Sequence, residues 1–320
     1  MPDRTSPPQP DGHLASYEPL MLGTPHRSLT LQLLRWLLAH CSCPYGARRH
    51  ARDAFLAATF EICCSPPDAT PAEHILCGKY NGIFSLADDG NDGHAPTLDA
   101  FDPDTVCPGR DELTACYSSL IADLRGQGRS TTRFEQAVHE MVDHMREEQT
   151  IDMDTITMDR HRAIRRHTIG VPSNVMCRRT ARNLFYPEPV ERTLDESGVL
   201  QLTWEIVALA NDLGSIQSDA RPADGYTGPV SLNFVWHRAR THGDLEPAIR
   251  ESIDRHNQLV DRFHNITRSV DELARRLDEP RITEYTQILR STVNGNLKAT
   301  RHLVPQRYPG TQAYLQQLHQ

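Results

Sequence analysis

Residues 204–219 of the chain read WEIVALANDLGSIQSD, an apolar run that leads into a polar segment. The apolar run predicts a buried helix. In the polar segment Asn211, Ser215 and Asp219 are spaced four residues apart, so one helical face carries an amide oxygen, a hydroxyl and a carboxylate. All three are oxygen ligands of the kind that magnesium prefers. A solvated polar face is the alternative, but the apolar lead-in favours a helix that faces a cavity.

A second acidic cluster, residues 88–92 (DDGND), directly follows an apolar helical segment that ends in IFSLA. Asp88 and Asp92 are four residues apart, so on a helix both carboxylates project to the same side. Two carboxylates at a helix C-terminus repel each other and the helix dipole unless a cation is present. The cluster therefore suits magnesium. Taken alone, it is equally compatible with an acidic surface turn.

The rest of the chain shows helical periodicity almost throughout. Apolar residues return every three or four positions, and no run of alternating β-branched residues predicts a strand. We therefore expect an all-α fold of roughly ten or more helices. The predicted helices span residues 28–40, 52–64, 71–87, 111–125, 131–148, 153–167, 174–184, 198–218, 229–240, 245–278 and 281–299.

The chain is predicted to form a single domain, because no linker rich in Pro, Gly and Ser divides it. Residues 1–27 are rich in proline and lack apolar periodicity, which predicts a flexible N-terminal arm. The helical domain is expected over residues 28–310. A short C-terminal tail is expected over residues 311–320.

Composition excludes several classes of protein. Hydrophobic residues make up 38% of the 320 residues and charged residues 24%, as in globular proteins. The longest apolar stretches, such as residues 33–39, are far shorter than the ~20 residues of a membrane span, and the N-terminal sequence does not resemble a secretory signal. We therefore expect a cytoplasmic protein with no membrane partner. The net charge of -8 argues against broad nucleic-acid binding.

The two acidic segments together resemble the metal-binding signatures of class I terpene cyclases of the microbial type. The DDxxD motif of that family is matched by Asp88, Asp89 and Asp92. Its NDxxSxxx(E/D) motif is matched by Asn211, Asp212, Ser215 and Asp219. The separation of the two motifs is also similar to that in the family.

A third segment, residues 165–172 (RRHTIGVP), resembles the part of the family that senses the diphosphate and breaks a helix. The resemblance makes Arg165 the diphosphate sensor and Thr168 the linker. It makes Ile169 the effector, whose backbone carbonyl points at the substrate.

Near the C-terminus, Arg307 and Tyr308 resemble the Arg-Tyr pair that hydrogen-bonds the diphosphate in this family. Phe84 and residues 233–235 (NFV) also match. Phe84 and Phe60 are expected to line the substrate pocket, with Trp204 as a further aromatic candidate, because aromatic faces stabilise cations.

Two positions depart from the family pattern. Ser218 stands where a lysine often precedes the last metal ligand, and Arg221 is expected to supply the missing charge at the substrate. Ala299 is the approximate counterpart of a tryptophan in many relatives. Its small side chain mildly favours a larger pocket.

The resemblance implies a class I terpenoid synthase-like helical bundle around a deep apolar cavity. It implies three magnesium ions, with manganese as an alternative: two at the Asp88 cluster and one at Asn211, Ser215 and Asp219. Ionisation of an allylic diphosphate needs such counter-charge, and Arg165, Arg307 and Tyr308 add hydrogen bonds.

The expected activity is that of a carbon-oxygen lyase acting on phosphates. It would ionise a linear isoprenyl diphosphate, with farnesyl diphosphate favoured, and cyclise the carbocation to a sesquiterpene hydrocarbon or alcohol. A diterpene cyclase that uses geranylgeranyl diphosphate is one alternative, and a non-catalytic isoprenoid-binding helical protein is another. A monomer or a homodimer is expected.

Overall fold

In the parts of the chain that the computed structural model describes, all regular secondary structure is helical. These parts are residues 14–41, 47–91, 101, 112–152, 155–219, 232–307 and 311–320, with only the backbone described for 89–91, 218 and 304–307. The all-α prediction is confirmed. The helices are α1 (Thr24–His40), α2 (Ala47–Cys64), α3 (Pro71–Asn91), α4 (Glu112–Gly126), α5 (Thr132–Glu148), α6 (Met158–Thr168), α7 (Val171–Ala181), α8 (Glu188–Glu196), α9 (Val199–Asp219), α10 (Phe234–His242), α11 (Leu245–Leu277), α12 (Arg281–Arg307) and α13 (Gln312–Leu315).

Most predicted helices agree with the observed ones to within a few residues, and the largest differences lie at helix ends. Helix α1 begins at Thr24, with Pro25 in its first turn, where a missing N–H costs nothing. Helix α12 extends to Arg307, two turns beyond its predicted end. Helix α8 was not predicted, because Pro187 and Pro189 at its start suggest a loop.

Two apolar clusters hold the bundle together. The first joins α1 to α5 through side chains such as Leu34, Leu37 and Phe134. The second surrounds α9 and includes Val207 and Phe263. Helices α2 and α3 belong to the first cluster, whereas α9 and the neighbouring face of α12 belong to the second. The cavity described below lies between these two pairs of helices.

The described part of the predicted N-terminal arm, residues 14–27, is packed against the bundle. Leu14 is buried, and the Tyr17 ring stacks on Phe55 of α2 with centroids 4.8 Å apart. His302 of α12 hydrogen-bonds the carbonyl oxygen of Leu20 at 2.9 Å. Burial of apolar side chains fixes this segment although its helical periodicity is weak.

The C-terminal segment after α12 also packs against the bundle. Its Leu315 and Leu318 side chains belong to an apolar cluster that includes residues of α9. None of the helices in the described ranges combines the length and the apolar character that a membrane crossing requires.

Candidate active site

A cavity of about 410 Å³ brings together the predicted site residues whose side chains are described. Its wall is formed by α2, α3, α9, α12 and the junction of α6 and α7. The predicted residues in this wall are Phe60, Phe84, Asp88, Arg165, Thr168, Ile169, Asn211, Ser215 and Asp219. Asp88 and Asn211, 123 positions apart in the sequence, therefore face one chamber from opposite helices.

Five predicted residues lie outside the described side chains. They are Asp89, Asp92, Arg221, Arg307 and Tyr308. Their roles, and those of the other site residues, stay predictions.

The polar face of α9 is held in place by hydrogen bonds. The Ser215 hydroxyl donates to Asp219 Oδ2 at 2.6 Å. Asn233, which caps the N-terminus of α10, donates from Nδ2 to the same Asp219 oxygen at 2.7 Å. Its Oδ1 accepts the backbone N–H of Val235 at 2.9 Å. The match of residues 233–235 to the family pattern thus corresponds to a helix cap that orients Asp219.

Arg165 is anchored to the same helix. Its Nη2 donates to Asn211 Oδ1 at 3.0 Å and to Asp212 Oδ1 at 2.5 Å. Asp212 is fully buried, and its second carboxylate oxygen accepts the backbone N–H of Phe234 at 2.8 Å. Burial raises the pKa of Asp212 to about 6, although Arg165 and the N–H of Phe234 oppose this shift. Asp212 therefore positions Arg165 and the start of α10, a role that the motif alone did not reveal.

The junction of α6 and α7 is a sharp break at the predicted position. Helix α6 ends at Thr168, Ile169 caps it, and Gly170 adopts a left-handed conformation with φ of 72°. The Gly170 carbonyl accepts a hydrogen bond from Tyr80 Oη at 3.1 Å. Among the hydrogen bonds of the described residues, none ends on the carbonyl oxygen of Ile169. This arrangement is compatible with the effector role expected for Ile169.

Gly170 is required at this break for two reasons. Its positive φ is costly for other residues, and a Cβ would overlap the Phe84 ring. We expect Gly170→Ala to lower the free energy of unfolding by more than the roughly 1–2 kcal/mol that the backbone conformation alone costs. We also expect slower turnover, because Phe84 and Ile169 must shift.

Gly198→Ala is the matched control for this prediction, since Gly198 has φ of 69° and a Cβ added there would meet no atom within 4 Å. Thermal unfolding and diphosphate release are measured for both variants. Equal effects of the two substitutions would contradict the importance of the Phe84 contact.

Glu148 is a cavity residue that sequence reasoning missed. It is the last residue of α5, is buried, and accepts the backbone N–H of Leu232 at Oε1 with a distance of 2.9 Å. Burial raises its pKa, and the charge of Arg165 opposes the shift. In the sequence Glu148 follows another glutamate at the end of an amphipathic helix, so nothing distinguished it from a solvated side chain.

The cavity wall is mixed rather than uniformly apolar. Its apolar part includes the side chains of Phe55, Leu56, Phe60, Phe84, Val207 and Leu303. Its polar part includes the amides of Asn81, Asn174 and Asn296. Trp204 lies outside this cavity and lines a small separate pocket with Glu205 and Arg255. Ala299 is buried but is not a lining residue.

The donor set fits a hard divalent cation. Asn211, Ser215 and Asp219 offer an amide, a hydroxyl and a carboxylate oxygen on one helical face, and Asp88 adds a carboxylate from across the cavity. Within the described ranges no three His, Cys, Asp or Glu side chains lie together as a metal cluster.

Helices enclose a chamber whose wall carries oxygen-bearing side chains and an anchored arginine. The chain matches the family model described as terpene synthase family 2, C-terminal metal binding, over residues 84–262. Because the match covers more than half of the chain, the protein belongs to this family. No curated protein sequence matches the chain.

Solved structures of microbial terpene synthases share the fold. The linalool/nerolidol synthase of Streptomyces clavuligerus, solved in complex with 2-fluorogeranyl diphosphate, is 19% identical with a TM-score of 0.71 over 86% of this chain and 98% of that chain. The 2-methylisoborneol synthase of Streptomyces coelicolor A3(2) is 15% identical with a TM-score of 0.65 over 88% of this chain and 90% of that chain. At these identities the likeness establishes the fold alone.

Proposed function

We propose that the protein is a magnesium-dependent terpene cyclase that ionises farnesyl diphosphate and closes the resulting carbocation into a sesquiterpene. The observation that carries this proposal is the placement of Asp88, Arg165 and the polar face of α9 around one chamber. Each of these groups can act on a diphosphate, and the Phe60 and Phe84 rings line the same space for its apolar chain.

Arg165 supports this function through its fixed position. Its contacts with Asn211 and Asp212 use Nη2 alone. The guanidinium therefore keeps donors for phosphate oxygens, which its planar shape can bind in pairs. An anchored donor needs little reorganisation when negative charge develops on the leaving group.

The metal ligands proposed are Asp88, with Asp89 and Asp92 of the same motif, and Asn211, Ser215 and Asp219. When bound there, magnesium, or manganese in its place, supplies positive charge that stabilises the departing diphosphate. Three ions are proposed, in line with the family resemblance. Arg307, Tyr308 and Arg221 are proposed to add hydrogen bonds to the diphosphate.

The apolar part of the wall is proposed to fold the isoprenoid chain and to limit access of water. Phe55, Phe60 and Phe84 provide aromatic faces that stabilise positive charge by about 0.5–2 kcal/mol each. Thr168 and Ile169 sit where α6 breaks, so a movement of Arg165 on diphosphate binding is transmitted directly to the Ile169 carbonyl.

The chamber has the size of a small-molecule pocket. Its volume of about 410 Å³ lies near the lower end of the range for small-molecule pockets. Ala299 does not line the chamber, so the argument for a larger pocket from its small side chain loses its support. Geranylgeranyl diphosphate remains the second candidate substrate.

A monomeric or homodimeric state and a cytoplasmic location stay predictions.

The test is incubation of the purified protein with magnesium and, separately, the C10, C15, C20 and C25 isoprenyl diphosphates. Diphosphate release and the extracted products, identified by gas chromatography and mass spectrometry, are both measured. We expect the highest kcat/KM with farnesyl diphosphate and loss of turnover when EDTA removes the metal. Preference for the C20 substrate would establish the diterpene alternative. No release from any substrate would favour a non-catalytic isoprenoid-binding protein.

A further inference from the structure

One of the two carboxylate oxygens of Asp219, the last proposed ligand on α9, is held by two hydrogen bonds. The Ser215 hydroxyl donates to Asp219 Oδ2 at 2.6 Å, and Asn233 Nδ2 donates to the same oxygen at 2.7 Å. A carboxylate oxygen has two lone pairs, so these two donors use both lone pairs of Oδ2. A metal ion that binds Asp219 without displacing a donor must therefore bind through Oδ1.

The amide of Asn233 is fixed in this orientation. Asn233 is 3% exposed, and its Oδ1 accepts the backbone N–H groups of Val235 at 2.9 Å and Trp236 at 3.3 Å, at the start of α10. Because the amide oxygen faces these N–H groups, the amide nitrogen must face α9, where it also donates to the backbone carbonyl of Asp212 at 2.9 Å. Rotating the amide away from Asp219 would break all of these hydrogen bonds.

The backbone on either side of Asn233 is also held in place. The N–H of Leu232 donates to Glu148 Oε1 at 2.9 Å, and the N–H of Phe234 donates to Asp212 Oδ2 at 2.8 Å. Both acceptors are buried carboxylates. Asn233 is therefore a rigid support for Asp219, and its side chain has little freedom to follow a bound metal ion.

Coordination by a single carboxylate oxygen suits magnesium better than calcium. Magnesium is small and requires a nearly ideal octahedron, whereas calcium is larger, accepts more oxygen ligands and often binds both oxygens of one carboxylate. At the α9 site calcium would gain this second oxygen only by breaking a hydrogen bond to Asp219 Oδ2. Hydrogen bonds to charged groups are among the stronger ones, so their loss opposes calcium binding.

We propose that Asn233 is a positioning residue that favours magnesium over calcium at the α9 site by restricting Asp219 to one coordinating oxygen, an inference that rests on the proposed function. Ser215 supplies the other hydrogen bond, but it is itself a proposed ligand. Asn233 can therefore be changed without removing a ligand of the metal.

The variant Asn233→Ser separates the two roles of this side chain. Serine caps helices about as well as asparagine, so its hydroxyl oxygen still accepts an N–H group of α10. Its side chain is too short to donate to Asp219 as well, so Oδ2 loses one donor. Asp244→Ser is the matched control, because the exposed Asp244 caps α11 by accepting the N–H of Glu246 at 3.2 Å.

The first measurement is the Tm of each protein at increasing concentrations of magnesium chloride alone or calcium chloride alone. The dependence gives an apparent Kd for each metal. In Asn233→Ser we expect the ratio of the calcium Kd to the magnesium Kd to fall by about tenfold, which corresponds to ~1.4 kcal/mol. Asp244→Ser should keep the ratio of the unmodified protein. The Asp88 cluster is unchanged in all three proteins, so the difference between them reports on α9.

The second measurement is diphosphate release from farnesyl diphosphate at a fixed magnesium concentration with added calcium. We expect the calcium concentration that halves the rate to be about tenfold lower for Asn233→Ser than for the unmodified protein and Asp244→Ser. A merely structural role of Asn233 would lower the Tm, or weaken binding of both metals, without a change in the ratio.

Equal calcium-to-magnesium ratios in Asn233→Ser and the unmodified protein would overturn the role of Asn233, as would an unmodified protein whose Tm responds to neither metal. Asn233→Gly, which also allows capping but has no donor, carries the test if Asn233→Ser does not fold. Absence of diphosphate release from every isoprenyl diphosphate would overturn the proposed function, while the Tm titrations would still decide whether Asn233 sets the metal preference.

Discussion

Arg165→Lys is expected to lower kcat by about 100- to 1,000-fold, the usual cost of removing a preorganised donor from developing negative charge. The positive charge is kept, so the effect isolates the planar shape of the guanidinium. In the structure Nη2 of Arg165 donates to Asn211 and to Asp212 at once. A lysine ammonium on a flexible stem cannot hold both oxygens and a diphosphate in the same geometry.

Arg166→Lys is the matched control, because Arg166 is the next residue in α6 and its side chain is exposed. Steady-state rates of diphosphate release are compared with thermal unfolding of each variant. Equal rates for Arg165→Lys and the unmodified protein would show that Arg165 does not contact the leaving group.

Asp88→Ala and Asn211→Ala are each expected to reduce turnover by about 100-fold or more, because each removes a proposed metal ligand from one side of the cavity. Both variants should remain folded, since these residues line the cavity rather than the core. Asp143→Ala, at a side chain that is 71% exposed, is the control for loss of a carboxylate.

A second measurement distinguishes loss of metal binding from a general defect. Ligands that bind the folded state raise the Tm in proportion to the logarithm of their concentration. We expect magnesium with inorganic diphosphate to raise the Tm of the unmodified protein and of Asp143→Ala, and to raise it much less for the two cavity variants. Normal rates and normal Tm shifts in both cavity variants would place the metal elsewhere.

The α9 site could be predicted from sequence because it depends on local geometry. Asn211, Ser215 and Asp219 share a face in any helix, and the apolar residues before them require burial. The same periodicity places Trp204, seven residues before Asn211, on this face as well, so its exclusion from the cavity could not be predicted from the sequence. The break at Gly170 was visible as a Gly-Val-Pro segment between two helical patterns.

The cavity positions of Asn296 and Glu148 could not be predicted in this way. Asn296 and Glu148 occupy ordinary helical positions, and their burial depends on which helices pack against α12 and α5. The close contact of Gly295 with Cys63 and Cys64 joins segments more than 200 residues apart in the sequence. Such contacts follow from tertiary packing, which no local pattern specifies.

The central claim is that α3 and α9 act on one diphosphate across a shared cavity. The most direct measurement is a crystal structure of the protein with manganese and inorganic diphosphate, with the ions located by anomalous scattering. We predict ions beside Asp88 and beside Asn211, Ser215 and Asp219, with the diphosphate between them and in contact with Arg165. Ions bound at only one of the two helices, or a diphosphate bound outside this cavity, would contradict the claim.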